Sequence, residues 1–92
     1  MASKADIINK VAEDGGLSRK DAKTAVEGVL EAISGYLKRG EKVQLTGFGT
    51  FEVRERKERS GVRPGTTERI TIPASKYPAF KPGKVLKDEV SG

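Results

Sequence analysis

Ninety-two residues, 34% of them charged and 35% apolar with a formal net charge of +5, set the scale of one small domain with enough apolar content to fold. The chain has no histidine and no cysteine, which removes the usual general base, the commonest imidazole ligand, thiolate metal sites and any disulfide framework. No stretch approaches the roughly eighteen consecutive apolar residues of a membrane span, and the opening Met-Ala-Ser-Lys-Ala-Asp lacks the apolar run of a signal peptide, so the expected location is cytoplasmic.

Ser3 followed by Asp6 has the spacing of a helix N-cap with an acidic residue in the first turn. Ile7, Ile8, Val11 and Ala12 then recur at helical intervals until Gly15 and Gly16 stop the helix. Ser18 with Asp21 repeats the start signal. Ala22, Ala25, Val26, Val29, Leu30, Ile33, Tyr36 and Leu37 follow as an apolar stripe that ends at Gly40 and is expected to pack into the core. The helical part therefore covers residues 3–39.

From Lys42 the period changes to that of strands. Val43 and Leu45 alternate with polar neighbours, and the glycines of Gly47-Phe48-Gly49-Thr50-Phe51 suggest a tight turn or a close backbone approach. Residues 50–59 keep the alternation but lose the apolar face. Gly61 to Thr67 reads as a turn-rich tip, and Ile70 and Ile72 resume a strand that Pro73 interrupts. This describes a hairpin arm over 54–75 projecting from a sheet formed by 42–53 and 76–81. With strands of roughly ten residues the arm would be about 30 Å long, and a lone two-stranded ribbon is marginally stable in water. Tyr77, Pro78, Ala79 and Phe80 return the chain to the core, and Pro82 and Gly83 lead into a short helix over 83–90.

Charge is concentrated in the arm. Residues 54 to 76 hold seven basic side chains (Arg54, Arg56, Lys57, Arg59, Arg63, Arg69, Lys76) against three acidic ones, a net of +4, whereas residues 1 to 53 hold eight of each sign. Positive charge confined to one extended segment makes a local field suited to a polyanion. Val62 and Pro64, flanking Arg63 at the middle of this ribbon, form an apolar wedge. Lys81 and Lys84 lie at the start of the last helix, where free N–H groups and the helix dipole favour phosphate. Without the arm, about seventy residues remain, a size at which one core seldom supplies more than a few kcal/mol. Phe48, Phe51 and Phe80 are many large rings for such a monomer, and a two-fold dimer sharing them would also set two arms side by side.

The run Val43-Gln44-Leu45-Thr46-Gly47-Phe48-Gly49-Thr50-Phe51, the basic Arg54-Glu55-Arg56-Lys57, the tip Arg63-Pro64-Gly65-Thr66, and Ile72-Pro73-Ala74 through Pro78-Ala79-Phe80 with Gly83-Lys84 closely resemble the bacterial histone-like HU and integration host factor family. The match runs in order over essentially the whole chain. The resemblance implies an α+β fold in a single domain over 1–92: an intertwined homodimer with two N-terminal helices, a three-stranded antiparallel sheet forming a saddle, protruding β-ribbon arms that enter the minor groove, and a short C-terminal helix. It also implies an architectural protein of the nucleoid that bends double-stranded DNA by intercalating a proline. This family is itself an example of that mechanism, so the mechanism comes with the resemblance and not from spacing.

The DNA-binding residues so implied are Lys4, Gly47, Arg54, Arg56, Lys57, Arg59, Arg63, Pro64, Thr66, Arg69, Lys76, Lys81 and Lys84, and the dimer core is Val43, Leu45, Phe48, Phe51 and Phe80. Many members read Arg-Asn-Pro at the tip where this chain has Val62-Arg63-Pro64. The proline matches, the arginine moves by one position, and the resemblance assigns the groove contact to no particular tip arginine. Of the two branches, the weakly sequence-selective HU type fits better than the sequence-selective integration host factor, and a related chain could serve as a heterodimer partner.

Phosphate neutralisation by the arms predicts binding largely independent of sequence, and the degenerate minor groove favours selection by deformability, hence a preference for bent, nicked or junction DNA. Three other classes compete. A helix-turn-helix repressor would place residues 18–39 in a major groove, but that helix mixes Lys20 and Lys23 with Glu27 and Glu31 and carries a broad apolar stripe. An RNA-binding module also suits a basic arm, yet the strands lack the paired stacking aromatics of a recognition-motif sheet. A hydrolase has only scattered carboxylates to work with and no P-loop pattern. The expectation is a protein that is not an enzyme, with no cofactor, no metal and no membrane partner.

Overall fold

In the computed structural model, which describes all 92 residues, the first helix, α1 (Lys4–Gly15), begins where its capping residues dictate. Ser3 is extended, and its N–H and hydroxyl donate to Asp6 Oδ2 at 2.8 and 3.1 Å while the Asp6 N–H donates back to Ser3 Oγ at 3.4 Å. The Ser3 backbone N–H, then its hydroxyl, hold the Asp6 carboxyl below its ordinary value. Gly16 takes φ +63 at the other end, a left-handed cap that suits glycine. In α2 (Arg19–Lys38) the Asp21 N–H donates to Ser18 Oγ at 3.1 Å, and Gly40, at φ +78, donates its N–H to Leu37 O at 2.9 Å. Both helices thus follow the punctuation of the sequence.

By contact the chain divides into two compact units, Met1–Tyr36 and Leu37–Gly92. In the first unit, Arg19 Nε donates to Asn9 Oδ1 at 3.0 Å and Lys4 Nζ lies 3.5 Å from Glu27 Oε1, tying α1 to α2. One residue of each helix, Ile8 and Ala22, is buried. The apolar stripe of α2 departs from expectation: Val29, Leu30 and Tyr36 stay 56%, 49% and 45% exposed. Two helices on their own have too little chain to cover the outer side of a twenty-residue helix.

The second unit holds β1 (Val43–Leu45), β2 (Gly49–Arg56), β3 (Arg59–Val62), β4 (Arg69–Ile72), β5 (Ser75–Pro82) and α3 (Lys84–Ser91). The antiparallel sheet β1-β2-β5 pairs Val43 with Phe51 and Phe51 with Phe80, and a separate pair, β3-β4, sets Val62 against Arg69. The boundary between the two sheets differs from the expected arm. The three-stranded ladder continues through Arg54↔Tyr77 to Arg56↔Ser75, so Arg54 and Arg56 belong to the sheet. Gly61 and Val62 are strand and not tip. The ladder breaks where Pro73 lacks an N–H to donate, and its neighbours Lys57 and Glu58 opposite also leave it. Gly83, the N-cap of α3, donates its N–H to Phe48 O at 2.8 Å, which fixes the helix start against the β1–β2 turn.

Candidate nucleic-acid interface

Residues directly opposite each other in an antiparallel ladder share a face, and neighbours along a strand alternate. The register therefore sorts the three-stranded sheet into two chemically distinct faces. On one lie Val43, Leu45, Phe51, Val53, Pro78 and Phe80; on the other lie Gln44, Thr50, Glu52, Arg54, Arg56, Tyr77, Ala79 and Lys81. On the first face Phe51 and Phe80 stack in a tilted arrangement with ring centroids 4.7 Å apart, and Phe48, reaching in from the turn, lies 5.5 Å from Phe80. The five residues expected to form a dimer core thus gather around one aromatic cluster. Phe48 and Phe80 are nevertheless 46% and 38% exposed in the single chain.

The opposite face is polar and organised by two residues that the sequence reading did not select. Glu52 accepts hydrogen bonds from Arg54 Nε and Nη2 on its Oε1 at 3.2 and 2.9 Å, and its Oε2 lies 3.8 Å from Lys42 Nζ. The Arg54 hydrogen bonds hold the Glu52 carboxyl below the usual range, assisted by the charges of Arg54, Lys42 and Lys81. The same contact raises Arg54, with a smaller contribution from the Tyr77 hydroxyl. The Arg56 guanidinium carbon sits 4.8 Å from the centroid of the Tyr77 ring, a cation–π contact that restrains an otherwise flexible side chain. Neither role shows in the residue types: strand parity puts Glu52 on the side of Arg54, but its two cationic partners, like the placing of Tyr77 opposite Arg54, come only from the register.

Further along, Arg63 and Pro64 enter a tight turn. The Thr66 N–H and hydroxyl both donate to Arg63 O, at 3.1 and 3.0 Å, and Gly65 has φ +78. Proline followed by a glycine of positive φ is the signature of a type II turn, with Pro64 at its exposed corner. Arg63 Nη1 lies 3.5 Å from Glu68 Oε2 across the turn. Val62 is 59% exposed and shares its side of the β3–β4 pair with Arg69, while Arg59 shares the other side with Ile70 and Ile72. Lys57 lies in the break between the sheets.

The remaining expected site residues are dispersed. Lys76 pairs opposite Glu55 on the aromatic side of the sheet, away from the face of Arg54 and Lys81. Gly47, at φ +86, forms the turn before β2. Lys84 is the first residue of α3, and Lys4 belongs to the helical unit, where it is ion-paired with Glu27. No helix is long and apolar enough to cross a membrane.

Comparison with known proteins bears on this geometry. Residues 2–91 match the family model described as bacterial DNA-binding protein. The chain is 59% identical over 88 residues to the DNA-binding protein HU of Thermus thermophilus, covering 96% of this chain and 91% of that one. It is 62% identical over 89 residues to the DNA-binding protein HU-1 of Halalkalibacterium halodurans, covering 97% and 99%. Among solved structures it superposes on an Anabaena HU–DNA cocrystal structure with a TM-score of 0.89 at 40% identity, over 98% of each chain.

Proposed function

The chain belongs to the bacterial DNA-binding protein family, with HU proteins as its relatives, and from that membership we propose that it is an architectural protein of the cytoplasmic nucleoid. It binds double-stranded DNA as a homodimer, with little sequence preference, and bends it through the minor groove. The observation that carries this reading is the sorting of the sheet by its register: Arg54, Arg56 and Lys81 on one face, Phe51, Val53 and Phe80 on the reverse. One face is suited to a polyanion and the other to a second hydrophobic surface.

The cations neutralise phosphates and release condensed counterions, which supplies affinity without reading bases. Arg59, Arg63 and Arg69 extend that charge along the β3–β4 hairpin, which acts as an arm. At its corner the exposed Pro64 has a flat apolar ring and no N–H to desolvate, so it can wedge between base pairs. Unstacking a step costs a few kcal/mol, offset by the backbone contacts that a bent duplex gains. Kinked DNA is already partly unstacked, so nicked and four-way-junction DNA should bind more tightly than an intact duplex. The aromatic face and the exposed stripe of α2 pack against a second copy, since the isolated chain buries only two apolar side chains, Ile8 and Ala22.

The test is affinity for intact, nicked and four-way-junction DNA, with duplex RNA as competitor. The expected order places the junction and nicked forms first and RNA last. Equal affinity for all three DNAs, or displacement by RNA as effective as by DNA, would contradict the reading.

A further inference from the structure

Among the polar-face positions of the three-stranded sheet, Glu52 is the one carboxylate, set among Lys42, Arg54, Arg56 and Lys81. Its side chain is 20% exposed, far less than those of Arg54 (50%) and Lys42 (73%), so it is seated in the sheet while its partners reach outward. Each oxygen serves a different cation, Oε1 for Arg54 and Oε2 for Lys42. Across the ladder stands Ala79, which leaves the carboxylate space but makes no demand for one. A guanidinium donates to a carboxylate and to a phosphate through the same planar fork, so one can replace the other with little change in hydrogen bonding.

We propose that Glu52 is an internal substitute for a DNA phosphate, holding Arg54 and Lys42 in the unbound protein and surrendering them to the duplex backbone on binding. This rests on the reading of the polar face as the duplex-binding face. The exchange leaves Glu52 charged and unpaired beside DNA, where it draws a cation from solution and cancels part of the counterion release that drives association. Glu52 thereby lowers both affinity and its salt dependence relative to what the cations alone would give. It is a positioning residue for DNA binding that restrains grip, which suits a protein that must bind without sequence preference and still let go.

The experiment measures affinity for an intact duplex over a salt series for the full-length parent, Glu52→Gln and Glu55→Gln, with thermal melts to establish folding. Glu55→Gln removes the same charge from the opposite side of the sheet, across from Lys76. Glu52→Gln should bind more tightly at low salt, and its plot of log affinity against log salt should be steeper by about one, with Glu55→Gln near the parent. Should the glutamine variant melt early, Glu52→Ala, which repeats the side chain already across the ladder, gives the same comparison. A parent without salt-dependent binding would remove the reading of the face and this inference with it. A steep parent slope left unchanged or flattened by loss of the Glu52 carboxylate, or steepened equally by Glu55→Gln, would overturn the role of Glu52 alone.

Discussion

At Gly49 there is no room for a side chain. A Cβ built there would lie 2.5 Å from the Phe80 ring and 2.7 Å from the carbonyl oxygen of Lys81, and the second neighbour is backbone that cannot rotate away. Gly49→Ala should therefore destabilise the protein by about 1 to 3 kcal/mol, as overpacking does, lowering the melting temperature without changing any charge; an unshifted melt would contradict the contact. This close approach was legible in the glycines of the Gly47–Phe51 run. Glu52 and Tyr77 were not. A carboxylate among cations reads as ordinary surface until the register places its two oxygens against Arg54 and Lys42, and a tyrosine beside Pro78 and Phe80 reads as core until pairing sets it opposite Arg54 and under Arg56.

Helix ends were the most legible elements, because a cap is a local hydrogen-bond pattern written in neighbouring residues. Ser3→Ala removes one half of the capping box and should cost about 1 kcal/mol. The Asp6 carboxyl is held below its ordinary 3.8 in the folded chain, so its contribution to stability is fully present above that value and is lost as pH falls through the lower folded value. Urea melts across that acid range should show the parent losing stability more steeply than Asp6→Asn, which has no carboxylate to protonate; parallel losses would separate Asp6 from the cap. The division of the long hairpin was half legible: Pro73 announces a break in one strand, but Lys57 and Glu58 lose their pairing only because the partner strand does, and nothing in their own types signals it. For the hairpin, replacing Arg56 and Arg59 by alanine should weaken binding to every duplex and flatten the salt slope by about one per lost phosphate contact. A selective loss for one sequence would instead indicate base readout.

For the whole molecule, the surfaces left exposed are as informative as those buried. A 92-residue chain with two buried apolar side chains, and with Val29, Leu30, Phe48 and Phe80 open, is short of a hydrophobic core of its own, which the proposed second copy would complete. Phe80→Ala should then cost about 3 to 5 kcal/mol, the loss expected of a buried ring and not of one 38% exposed, and the melting temperature of the parent should rise with protein concentration. A folded monomeric Phe80→Ala variant would contradict the shared core. The aromatic cluster on the sheet was legible in part, since the rings could be counted from sequence, whereas their convergence on one sheet face depended on strand parity.

The proposed DNA bending joins these scales, and ligase-catalysed cyclisation of short DNA fragments by the parent and by Pro64→Ala measures it most directly. Pro64→Ala keeps every charge, so its affinity for stiff duplex and its salt slope should match the parent. Without the wedge it cannot offset the elastic cost of a kink, of order 1 to 6 kcal/mol, and cyclisation should fall towards the rate of DNA alone. Equal cyclisation by the two proteins would reduce Pro64 to a corner of its turn and contradict the proposed mechanism.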